Sequence, residues 1–116
     1  MNEPIFKLIV ILIVGITIII MGIANIRGNL STLHKYHTKN ITEDNKPAFG
    51  KLSGIGHIIV GISLILNAIL SAIATRLDIS TYSTIGNIIL ISGSAIGIGI
   101  ILYSIIKYNK KDKTKN

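Results

Sequence analysis

A chain of 116 residues has room for one domain, and this one is 49% hydrophobic and only 15% charged, where soluble domains carry about a quarter charged residues. A domain this small buries only about two-thirds of its unfolded surface, so the excess apolar surface implies lipid as solvent. The formal charge of +7 would suggest nucleic acid in a soluble chain, but the cations flank apolar spans and no nucleic-acid module is present, which leaves anionic headgroups as partner.

The first uncharged run, Leu8 to Ile26, has 19 residues and reaches about 28 Å as a helix, close to the ~30 Å hydrocarbon core. Pro4 suits a first helical turn and Arg27-Gly28-Asn29 ends the span, which predicts a helix over about 5–26. The run exceeds the apolar region of a signal peptide, and Glu3 stands beside the single Lys7, so an uncleaved helix is expected.

Residues 27–51 form a polar, basic connection. Leu30, Leu33 and Tyr36 recur at helical spacing, as in a short interfacial helix. Thr42 to Asn45 followed by Pro47 reads as a helix start near residue 45, ahead of the second span. That span, 52–74, carries no formal charge unless His57 is protonated. A polar turn, 75–84, leads to the third span, 85–106, with Tyr103 and Tyr108 near its end, where amphipathic rings favour the interface. Residues 107–116 form a basic, polar tail.

With three crossings, the 27–51 connection and the tail share one side. That side holds Arg27, Lys35, Lys39, Lys46, Lys51, Lys107, Lys110, Lys111, Lys113 and Lys115, ten of the 12 cations, against Lys7 and Arg76 opposite. The positive-inside rule then expects a multi-pass cell-membrane protein with the N-terminus outside and the loop and tail in the cytoplasm. The Asn-x-Ser/Thr triplets at Asn29 and Asn40 fall in that loop and are discounted as glycosylation sites. The expected fold is an all-α, three-helix transmembrane bundle with a basic cytoplasmic loop.

Several constellations carry candidate chemistry. Gly93-x-x-x-Gly97, extended by Gly86 and Ser104 at seven-residue spacing, forms a small-residue stripe on the third helix; His57, Gly61, Leu64, Ala68 and Ser71 form a comparable one on the second. Small residues let helix backbones approach in lipid, either inside the bundle, the favoured reading, or between copies in a homo-oligomer. Ser92, Ala95 and Gly99 give the third helix a second small face.

His57 is the only ionisable residue well within a span, six residues beyond Lys51. Such residues suggest function, but a neutral imidazole near the interface also serves structure, bonding a carbonyl or reaching water. Asn67 and Ser63 on the second helix, Asn87 on the third, and Asn25 and Thr17 on the first suit interhelical hydrogen bonds better than a lined substrate path. His34 and His37, with Glu43 and Asp44, could be drawn as a metal cluster, but without a ligand signature a headgroup-binding segment explains them more simply. Enzyme motifs are absent: no GxSxG, P-loop or paired intramembrane carboxylates. Gly54-x-Gly56 lies inside a hydrophobic helix, so it is no phosphate cradle. No cofactor is expected. Cysteine is also absent, which excludes disulfides and thiolate chemistry.

One resemblance rests on the segment around the loop: Ile26-Arg27-Gly28-Asn29-Leu30-Ser31, Leu33-His34-x-Tyr36-His37, Glu43-Asp44, Ala48-Phe49-x-Lys51-Leu52-x-Gly54-Ile55-Gly56 and Ile58 to Ile62. Over about residues 20–66 the chain is similar to small three-span prokaryotic membrane proteins classed as domains of unknown function. The resemblance implies that the His34/His37/Asp44 loop carries weight, and it implies no activity. The sequence therefore favours a non-enzymatic membrane protein working through protein or lipid contacts (accessory, regulatory or immunity-type), with an oligomeric channel or small transporter as the alternative.

Overall fold

The computed structural model describes residues 3–29 and 41–108, and among these the chain forms three α-helices and no strand. Helix α1 covers Glu3–Ile26, α2 Lys46–Leu77 and α3 Ser80–Tyr108. At 1.5 Å per residue their 24, 32 and 29 residues span about 36, 48 and 43 Å. All three are long and apolar enough to cross a membrane.

Two helix ends share one device. After α1, Gly28 takes φ 98°, its N–H donates to the Asn25 carbonyl (3.0 Å) and the Asn29 N–H donates to that of Ala24 (2.9 Å). After α2, Asp78 takes φ 57°, and its N–H and that of Ile79 converge on the Ala74 carbonyl. Both are left-handed caps that satisfy carbonyls the helix leaves open. The second cap turns the chain so tightly that only Asp78 and Ile79 separate α2 from α3. Helix thus runs through most of the polar stretch 75–84, because Thr75 and Thr84 bond back onto the Ser71 and Ser80 carbonyls. Such back-bonding hides a hydroxyl without a loop. At the other end of α2, Asn45 makes no side-chain cap; the N–H groups of Asn45 and Lys46 donate to the Thr42 carbonyl, and Lys46 pairs with Glu43 at 2.8 Å.

Packing is built on α2. Antiparallel α1 lies along one side of it, with Gly15 against Gly61 and Gly22 against Gly54. A methyl group added at Gly22 would stand 2.6 Å from the Gly54 carbonyl oxygen, so side chains are excluded there. Helix α3 lies along the other side, with Gly97 against Gly56 and Val60, Gly93 against Ser63, and Gly86 against Asn67 and Leu70. No seam joins α1 to α3. The interior is small and polar: the largest wholly buried side chains are Phe49, Asn25, Ser53 and Ser104. Isoleucines face outward instead, with Ile91 71% and Ile106 74% exposed. Oil outside and glycine inside is the packing of helices dissolved in lipid, where close backbone approach replaces hydrophobic drive. The chain is a small multi-pass membrane protein.

Candidate functional site

The two seams divide α2 into faces. At ~100° per residue, Gly54, Ile58, Gly61 and Ile65 point to α1, while Gly56, Val60, Ser63, Asn67 and Leu70 point to α3, on nearly the opposite side. One remaining flank carries Ile55, Ile62, Leu66 and Ile69, all exposed. The other carries Ser53, His57, Leu64, Ser71 and Thr75; Ser53 is wholly buried and His57, Leu64 and Ser71 are half-buried. Polar groups therefore gather on one side of α2, and α1 and α3 lean over that side.

At the end of this flank formed by the start of α1 and the α2–α3 turn, two adjoining clefts open, of about 310 and 600 Å³. Lys7, Asn67, Ser71 and Thr75 line both. Glu3, Leu8, Ile11, Ala68 and Ala72 complete the first; Asp78, Ser80, Ser83 and Asn87 are among those completing the second. Asn67 Nδ2 donates to Asn87 Oδ1 across the helix pair at 3.0 Å. Asn67 lies ten residues short of the end of α2 and Asn87 seven residues into α3, about 15 and 10 Å along the helices. The cleft therefore carries hydrogen-bonding groups to hydrocarbon depth. Among the described residues no ion pair engages Glu3, Lys7 or Asp78.

At the opposite end of the flank Ser53 is wholly buried and His57 half-buried. His57 Nδ1 lies 2.8 Å from the Ser53 carbonyl oxygen; a carbonyl only accepts, so Nδ1 carries the proton and a neutral ring keeps Nε2 as acceptor. The His57 Cβ stands against Gly22, which holds the ring at the α1 seam. Ser63 Oγ donates to the Ile59 carbonyl at 2.8 Å, on the same side chain that meets Gly93. On the outer faces, Thr17 and Ser92 likewise bond back to Ile13 and Ile88. Lys107 reaches both Tyr103 and Tyr108, at 5.7 and 5.4 Å from the ring centroids, forming a cation–aromatic cluster.

The small-residue candidates separate between seams. Gly86, Gly97 and Ser104 are buried on α3, with Gly93 beside them; Gly61 belongs to the α1 seam, and Ala68 lines the cleft. Gly99 has nothing within 4 Å of an added methyl. The structure brings Asn67 and Asn87 together; it places His57 elsewhere, near the other end of α2. His34, His37 and the interfacial helix expected at 30–36 lie outside the described residues. Sequence reading missed Gly15, Gly22, Gly54 and Gly56 as packing residues, and it missed the cleft. The glycines had a signal: small residues seven apart recur in every helix, at 15/22, 54/61, 56/63, 86/93 and 97/104. The cleft had none, because Lys7, Asn67 and Asp78 are far apart in sequence and meet only once α1 lies on α2. Comparison with family models, curated proteins and solved structures finds no match to the chain.

Proposed function

We propose that this protein is a non-enzymatic membrane component that works by contact, as an accessory, regulatory or immunity-type protein, with the basic 27–51 connection and the tail in the cytoplasm. The observation that supports this reading is that several polar groups in the spans are bonded within the chain, the buried Ser53 Oγ being an exception. Asn67 bonds Asn87, His57 bonds the Ser53 carbonyl, and Ser63 bonds back to Ile59. A conducting path needs groups free to replace an ion's hydration along its length, and the Leu64 side chain interrupts the polar flank midway. The contact surfaces are the lipid-exposed faces of α1 and α3 and the cation-rich end, where anionic headgroups and a membrane partner meet the chain. The resemblance of the sequence over about 20–66 to small three-span prokaryotic membrane proteins is compatible with this role.

The test is reconstitution in liposomes with ion-flux measurement, alongside recovery of partners from native membranes. The contact reading expects silent liposomes and a co-purifying membrane protein that is lost from a His34→Ala/His37→Ala variant. Conductance above protein-free vesicles overturns it and selects the oligomeric channel.

A further inference from the structure

We infer that the cleft at the start of α1 and the α2–α3 turn holds the headgroup of a zwitterionic phospholipid, a phosphate ester bearing an ammonium, as in phosphatidylethanolamine. The inference deepens the contact reading above by naming a lipid and its site, at the end opposite the cation-rich loop.

Four observations carry it. First, the space: clefts of about 310 and 600 Å³ share Lys7, Asn67, Ser71 and Thr75 as walls, within the range of small-molecule sites. Second, the charges: Lys7 stands on the α1 wall, with Asp78 at the turn and Glu3 at the rim, and no ion pair among the described residues engages any of them. A simple anion would meet two carboxylates and a simple cation would meet the lysine. A zwitterion answers both signs, its phosphate toward Lys7 and its ammonium toward Asp78 and Glu3. Third, the neutral lining: the hydroxyls of Thr75, Ser83 and Ser71, about 3–9 Å along the helices from the turn, and the Asn67–Asn87 amides, about 10–15 Å along them, give hydrogen-bonding groups for the glycerol ester groups that follow a headgroup. Fourth, the acyl path: no seam joins α1 to α3, and Leu8, Ile11, Ala68 and Ala72 continue the first cleft as apolar wall, so chains can leave sideways into the bilayer.

The full-length chain, purified in detergent, is titrated with dihexanoyl phosphatidylethanolamine, dihexanoyl phosphatidylglycerol and free phosphoethanolamine, and bound ligand is counted by native mass spectrometry. The measurement does not depend on whether the protein conducts or has a partner. The expected result is retention of phosphatidylethanolamine about tenfold tighter than phosphatidylglycerol, with loss of that preference in Asp78→Asn and weaker retention of both lipids in Lys7→Met. Asparagine tolerates the left-handed backbone at 78 and Lys7 is exposed near a helix start, so both variants should fold; circular dichroism checks helix content. Equal retention of the two lipids, an unchanged preference in folded Asp78→Asn, or undiminished retention in folded Lys7→Met overturns the proposal. Binding of free phosphoethanolamine as tight as the lipid overturns the lipid assignment in favour of a soluble ligand.

Discussion

Glycine carries the packing of this molecule in a way that single substitutions can read. At Gly56 and Gly97 an added methyl would stand 2.6–2.7 Å from a backbone carbonyl of the facing helix, and backbone cannot swing aside as a side-chain tip can. Gly56→Ala and Gly97→Ala should each destabilise the fold by about 1–3 kcal/mol, the usual cost of overpacking, measured by unfolding in mixed detergent. Gly99→Ala is the internal control: nothing lies within 4 Å, and alanine's higher helix propensity should leave stability unchanged or raise it by up to about 1 kcal/mol. If all three behave alike, the seams are not where the structure puts them. The Asn67–Asn87 bond is separable in the same assay. A double-mutant cycle with alanine should return a coupling of about 0.6–2 kcal/mol, and zero coupling would mean that each amide bonds lipid or water instead.

At the scale of elements, apolar runs read from sequence mark the part of each helix that lipid covers, and the helices exceed that part. The span 52–74 sits inside α2, Lys46–Leu77, and 85–106 inside α3, Ser80–Tyr108. Polar residues such as Thr75 and Thr84 look like loop because nothing in their hydropathy records a hydroxyl bonding the carbonyl four residues back. The start near residue 45 was legible, since Pro47 marks a first turn. The left-handed position at Asp78 was not, because aspartate is common in turns of every hand. That residue supplies a prediction: Asp78→Gly relieves the Cβ strain at φ 57° and should raise thermal stability by about 1 kcal/mol. The same change should abolish the lipid preference, so stability and binding move in opposite directions.

For the whole molecule, class and span number were legible because lipid imposes a length and a composition on anything that crosses it. Which helix sits in the middle was not legible: each carries small residues seven apart, so each could serve as the hub. The structure gives that place to α2, which has a glycine seam on either side (Gly54 and Gly61 toward α1, Gly56 with Ser63 toward α3). Co-expressed fragments test it. A 1–40 piece should recover membrane association with a 41–116 piece in a pull-down, whereas a 1–40 piece and a 79–116 piece should not associate. Association of the latter pair would show a direct α1–α3 seam.

Among the described residues α1 and α3 each pack chiefly on α2, so the main packing partners are also sequence neighbours. During synthesis, α1 enters the bilayer and waits for a single arrival; once α2 is threaded, that pair can close before the last helix leaves the ribosome. Helix α3 then follows within two residues of turn and docks on a platform already built. Assembly of this kind never requires a late helix to slide between two early ones, so a chain of such modest size can reach its final arrangement in the order in which it is made.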